Sequence, residues 1–340
     1  MSERSFVVAL TGASGFVGRH VLGHLAKHGH QIRALLRDPA RLTVRPAQLS
    51  FVKGDLLDSE ALDDLVSGVD AVVHLVGIIN EKPALGQTFQ FIHAKATRKL
   101  LEAATRAGVK RWIHMSALGV RPEAVSTYHR TKWEAECAVR ESGLDYTIFR
   151  PSIIHGPDGE FMQMVKNFWC EPFPPFVPYF ATHRSLAANL REAGEITTSL
   201  LWPFPSFKKT GIPRYVSSAP AGRLQPVWVE DVAECFAKAL ENPRSVNETY
   251  PLGGPDPMTW ADLYQTCRQH IPRPRDKKIC AVPLWYAKLI AGKPGVPFNI
   301  DQVIMSQENS TCSIDKVQAH FDLKLAPFEQ TLADYASQID

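Results

Sequence analysis

A chain of 340 residues, 45% hydrophobic and 21% charged, has the make-up of an ordinary globular protein and exceeds the usual size of one core. Its net charge of +3, with no long lysine/arginine run, gives no nucleic-acid-tracking surface and leaves small-molecule chemistry as the expectation. Six cysteines without a Cys-x-x-Cys pair exclude a disulfide frame or thiolate zinc site, and no apolar run reaches the roughly 18 residues of a membrane span.

The N-terminal residues run at once into an apolar strand, "FVVAL" at 6–10, so no leader is expected and the cytoplasm is the expected address. Directly after it stands "TGASGFVG", with Gly12, Gly15 and Gly18 at three-residue spacing. Between a first strand and a first helix, such a loop permits close backbone approach, and the helix start offers N–H groups to a diphosphate. Gly12, Ser14, Gly15, Phe16, Val17 and Gly18 are therefore the expected cradle of a dinucleotide. Further along that helix His20, His24 and His28 recur at one-turn spacing, but no cysteine or carboxylate completes a metal set and none is expected.

The second strand, "QIRALL" at 31–36, ends on Arg37 and Asp38. An arginine here would accept a 2′-phosphate and an acid would bind a ribose hydroxyl, so Arg37 favours NADP(H), with NAD(H) left open by Asp38. Arg33 is a weaker candidate for the same contact. After the third strand at 49–52, "GDLLD" places Asp55 and Leu56 toward the adenine. After the fourth at 71–76, "LVG" places Leu75, Val76 and Gly77 against the ribose and diphosphate.

Residues 96–109 form an amphipathic helix with Leu100, Leu101, Ala104 and Val109 on its apolar side, and strands follow at 111–116 and 146–149. This alternation predicts βαβ units: a Rossmann-type, doubly wound parallel α/β sheet with a smaller C-terminal substrate domain. Between those last strands lies "YHRTKWEAE", a helix that sets Tyr128 and Lys132 one turn apart on one face. A neighbouring ammonium lowers a phenol's pKa from about 10, which makes the tyrosine a general acid/base candidate.

From Glu171 the composition turns to proline and aromatics before α/β rhythm resumes at 223. The expected division is 1–170 plus 223–255 for the nucleotide domain and 171–222 plus 256–340 for the smaller one. Trp169, Phe173, Phe176, Tyr179, Trp202, Phe204 and Phe207 would form an apolar lid or the smaller domain's own core.

In "TGASGFVG", "GDLLD", "HLVG", "HMSALG", "YHRTK" and "RPSIIHGP", in that order, the chain resembles the extended or atypical short-chain dehydrogenases/reductases. More closely, "HMSALGV", "STYHRTKWEAE", "SGLDYTIFRPSIIHGP" and "RLQPVWVEDVA" resemble bacterial relatives of the nucleotide-binding accessory subunit of respiratory complex I. The resemblance implies that Ser116 orients a carbonyl, that Lys132 also holds the nicotinamide ribose, and that Pro151 and Ile153 lie beside the nicotinamide. It implies hydride transfer between NADP(H) and a small apolar carbonyl/alcohol pair. Alternatives are a non-catalytic, NADPH-holding subunit of a respiratory or membrane complex, and a nucleotide-sugar epimerase. Ala117 and Leu118 stand where sugar dehydratases carry an acidic pair, and His93 stands where many relatives place an asparagine, which suggests a proton relay there. The expected partner is a small apolar substrate, with no nucleic acid; contact with a membrane surface or respiratory complex, and a homo-oligomer, are left open.

Overall fold

The computed structural model describes residues 5–181, 222–293, 296 and 298–339. Apolar runs bounded by turns form β1 (Val7–Thr11), β2 (Gln31–Leu36), β3 (Leu49–Lys53), β4 (Ala71–His74), β5 (Arg111–Met115) and β6 (Asp145–Pro151). With the later strand Glu248–Leu252 they make one parallel sheet of seven strands, in which β1 lies between β2 and β4. Strand order reverses at β1 and β4, so the crevice beyond their carboxyl ends is where a doubly wound sheet binds its ligand.

Helices cover both faces because both faces are apolar. On one side α1 (Phe16–Lys27) and the Val229–Ala239 helix pack with Val21, Leu22, Leu25, Val232 and Phe236. On the other, α2 (Ser59–Val66) and α3 (Ala96–Arg106) bury Leu62, Leu65, Leu100 and Ala104 against Val72 and Trp112. The fourth helix, α4 (Thr127–Glu141), starts with Ser126 as its cap and carries the Tyr128–Lys132 pair.

A third cluster joins the Glu160–Cys170 helix to residues of the C-terminal third, among them Tyr264, Phe328 and Tyr335. Trp169 is fully buried in it, so this aromatic belongs to a core and not to a lid. Phe173 is 78% exposed, while Trp202, Phe204 and Phe207 lie outside the described residues. Among the described residues no helix is long and apolar enough to cross a membrane.

Candidate active site

The glycine loop has the geometry its spacing predicts. Gly12 takes a positive φ of 83°, Gly15 N–H donates to Gly12 O at 3.0 Å, and a Cβ on Gly18 would come within 1.9 Å of Gly12 O. Gly15 brings no side-chain cap to α1 and the first turn holds no acidic residue, so its N–H groups stay available to an anion. These features fit a dinucleotide diphosphate. The loop also meets the end of β4: a Cβ on Gly12 would stand 3.3 Å from Leu75 Cβ and 3.4 Å from Val76 N.

The arginines of β2 separate clearly. Arg33 donates to the carbonyls of Asp64, Leu65 and Ser67, closing the end of α2, and is thereby committed to the fold. Arg37 is exposed just past the strand and makes no hydrogen bond or ion pair among the described residues. Asp38 turns its carboxylate onto the N–H of Ala40 to start a short 3-10 turn. Asp55 likewise accepts from the N–H of Leu57 at 3.0 Å, and Leu56 is buried.

Lys132 reaches the end of β4. Its Nζ donates to Met115 O at 2.9 Å and lies 3.0 Å from where a Cβ on Gly77 would be, so the ammonium passes close against this glycine. Burial lowers its pKa to about 8, against the pull of Glu136. Tyr128, partly buried, packs edge-on against Phe89 and His93. Its phenol is pushed up to about 12 by burial, and no hydrogen bond joins it to Lys132. The expectation that the ammonium holds the phenol's pKa down is thus corrected: one-turn spacing made the two residues neighbours, but Lys132 is spent on a strand carbonyl.

Ser116 also has a partner that sequence reasoning missed. Its Oγ donates to Glu136 Oε1 at 2.5 Å, inside a network in which fully buried Glu136 also accepts from Arg140 and Arg150. The hydroxyl can donate to a carbonyl only by leaving that carboxylate. Glu136 sits one turn beyond Lys132 on α4, so helical spacing within "YHRTKWEAE" puts it on the same face, but its bond to Ser116 depends on how α4 packs on β5. Pro151 ends β6, where its carbonyl accepts from Leu118 N–H, and Ile153 O accepts from Val227 N–H.

His93 lies in a π-helical turn, Gln90–Lys95, a distortion that often marks functional positions. Its Nδ1 is 3.0 Å from Thr131 Oγ1, whose own hydrogen goes to the carbonyls of Thr127 and Tyr128, and its Nε2 is 3.1 Å from Ile78 N. Its Nε2 also lies 3.2 Å from Ile78 O, and burial with nearby Lys132 holds its pKa well below the usual histidine value. With both nitrogens engaged, His93 braces the 77–78 loop against α4.

The histidines of α1 have partners that the local sequence does not show. The fold supplies the carboxylates that local sequence lacked: His20 and His24 pair with Glu230 at 2.7 Å each, and His24 and His28 with Glu234 at 2.8 and 3.1 Å. They form a zipper between two helices about 210 residues apart in sequence. No group that could hold a metal occurs among the described residues.

A sheet of this order, with a glycine turn at its reversal point and a Tyr128–Lys132 helix over the end of β4, defines a Rossmann-type NAD(P)-binding protein. Residues 12–168 match the family model described as NAD(P)H-binding. The chain is 38% identical over 152 residues to a ceramide reductase of Caulobacter vibrioides, a match spanning 44% of this chain and 47% of that protein. It is 26% identical over 309 residues, 87% of this chain and 70% of that protein, to mitochondrial NADH dehydrogenase [ubiquinone] 1 alpha subcomplex subunit 9 of Rattus norvegicus. MoeE5 in complex with UDP-glucose and NAD shares the fold with a TM-score of 0.68 and 16% identity, covering 98% of this chain and 97% of that one. By this family-model match and these relatives, the chain is similar to NAD(P)H-binding proteins and shares the fold of the extended short-chain dehydrogenases/reductases.

The partner expectation is corrected by these relatives. It placed a small apolar substrate first and left contact with a respiratory complex merely open, whereas the proteins similar over most of this chain, from Rattus norvegicus, Mus musculus and Arabidopsis thaliana, are NADH dehydrogenase subunits.

Proposed function

We propose that the protein is an NADP(H)-dependent reductase of an apolar carbonyl compound. The observation that carries this reading is the convergence of three elements on the end of β4: the glycine loop touches Leu75 and Val76, Lys132 lies on Gly77, and Tyr128 stands one turn before Lys132. The nucleotide would supply the hydride; Gly12, Ser14, Gly15, Phe16, Val17 and Gly18 would hold its diphosphate, and Asp55 and Leu56 its adenine. Arg37 would meet the 2′-phosphate, since Asp38 is spent on its own turn. Lys132 would anchor the nicotinamide ribose, with Pro151 and Ile153 beside the ring.

A phenol held at about 12 stays protonated at neutral pH, so Tyr128 has a proton to give a carbonyl oxygen but is a weaker acid than a phenol of pKa nearer neutrality. Ser116 would orient the carbonyl only after turning its hydroxyl away from Glu136. Burial keeps Lys132 close to neutrality, so it can return a proton to the tyrosine side of the site. The unpaired thiols suit a cytoplasmic address.

The test is NADPH oxidation with a panel of apolar ketones and quinones, run on wild type and Tyr128→Phe. Turnover that the variant loses while still binding NADPH supports the reading, and equal rates in both refute it.

A second reading is favoured by the 87% span of the match to the rat subunit: a protein that holds the nucleotide without turning it over, as part of a larger assembly. It predicts a stoichiometric nucleotide released only on denaturation and no effect of Tyr128→Phe.

A further inference from the structure

The first turn of α4 is completed by a residue from the far end of the chain. Ser126 Oγ accepts from His129 N–H at 3.2 Å, but the N–H groups of Thr127 and Tyr128 donate to Asp301 Oδ1, at 2.7 and 3.4 Å. Asp301 is only 8% exposed and places a carboxylate at the positive end of the helix that carries Tyr128 and Lys132. Nothing in the local sequence of α4 would call for it.

Asp301 does not stand alone. Asn299, capping the Ile300–Met305 helix through a reciprocal bond with Gln302, donates its amide to Ile79 O at 2.8 Å and to Asn80 Oδ1 at 2.6 Å. Glu308 takes both ends of the Arg121 guanidinium at 2.9 Å. Ser310 N–H donates to Arg223 O at 2.7 Å, and its carbonyl accepts from Ser152 Oγ at 3.0 Å. One stretch of chain thus crosses the carboxyl ends of β4, β5 and β6 in turn, over the crevice where the ligand of such a sheet lies. Its contacts alternate between loops, at Ile79–Asn80, Arg121 and Ser152, and the start of α4.

We propose that residues 299–310 are a strap that sets the position of the Tyr128 helix relative to the end of β4, with Asp301 as its positioning residue. The two bonds to Thr127 and Tyr128 fix the rise of the first turn, and Asn299 ties the same point to the loop following Gly77. Tyr128 and Lys132 are thereby held in register by the C-terminal region, so that chemistry in one part of the chain depends on the seating of another. The consequence for rate rests on the reductase reading; the anchoring of the helix does not.

The experiment uses the full chain saturated with NADPH, as wild type, Asp301→Ala and Asp301→Asn, the last of which keeps an acceptor oxygen. Amide hydrogen exchange of the 125–130 segment should quicken about tenfold or more in Asp301→Ala and return toward wild type in Asp301→Asn, with β4 and β5 amides unchanged. With the best ketone of the panel, kcat should fall between about tenfold and a hundredfold in the alanine variant, with NADPH affinity kept and partial rescue by asparagine. Unchanged exchange at 125–130 overturns the proposal, as does faster exchange throughout the sheet, which would make Asp301 a general stabiliser. Quickened local exchange with unchanged kcat also overturns it, because the helix start would then be free without moving the tyrosine. If wild type reduces none of the carbonyls, the reductase reading falls, and the exchange result alone decides whether the strap anchors α4.

Discussion

Ser116 Oγ and Glu136 Oε1 lie 2.5 Å apart, so the hydroxyl at the end of β5 is bonded to the one carboxylate that also holds Arg140 and Arg150. The carboxylate is fully buried while both guanidiniums are partly exposed. Removing it strands two cations and a hydroxyl. Glu136→Ala should therefore lower unfolding stability by about 3 kcal/mol, toward the lower end for a broken buried pair because both arginines can turn to water. Urea unfolding followed by tryptophan fluorescence measures this, and a loss under about 1 kcal/mol would show that the network contributes little.

Two glycines of α1 make a matched pair. A Cβ at Gly18 would overlap Gly12 O, whereas one at Gly23 meets nothing within 4 Å. Gly23→Ala should raise stability by up to about 1 kcal/mol, the helix-propensity gain. Gly18→Ala should push the loop apart and weaken nucleotide binding by about tenfold or more. Calorimetric titration with NADPH on both variants checks the contrast, and equal affinities would remove the loop from the binding site.

Cofactor choice should follow Arg37 and not Arg33. Arg37→Ala should weaken NADPH binding by about tenfold, the loss of a charge-assisted contact, with NADH binding little changed. Arg33→Ala, which uncaps α2, should lower the melting temperature and leave the NADPH/NADH ratio alone. An unchanged ratio in Arg37→Ala would end the argument for a 2′-phosphate.

The histidine zipper gives stability a pH dependence of definite sign. For His20 burial works downward, but the bonds and charges of Glu230 and Asp158 outweigh it; for His24 the bond from Glu230 comes first, so both pKa values are raised. Glu230 is held down at about 2 by its bonds from those two imidazoles. A raised histidine contributes fully below its unfolded pKa of about 6.5 and loses that contribution as pH rises through the folded value. Glu230 contributes above its unfolded pKa of about 4.5 and loses it as pH falls toward 2. Asp158, Arg19, Glu234, His28 and Lys238 face the same strip and share the charge. Between about pH 6 and about pH 9 the unfolding free energy should drop by about 1 kcal/mol, a modest figure because the Glu230 side chain is partly exposed and screened. Denaturation at several pH values on wild type and Glu230→Gln tests this: the variant should show a flatter slope, and an equal slope would place the dependence elsewhere.

Much of the scaffold was legible in local pattern. Apolar runs such as "AVVHLV" and the glycine spacing at 12, 15 and 18 specify strands and a turn through neighbours a few residues away, because backbone sterics and burial periodicity act at short range. The same range explains why Tyr128 and Lys132 could be placed on one helical face. What they bond to could not be read there, since a side chain's partner depends on which distant segment the fold brings up. Tertiary structure turned Lys132 toward Met115 O, gave Ser116 to Glu136 and set Glu230 against His20 and His24. It also carried Asp301 to the start of α4 across 174 positions of sequence, a contact held by long-range packing and a buried charge at a helix end, for which no local spacing exists.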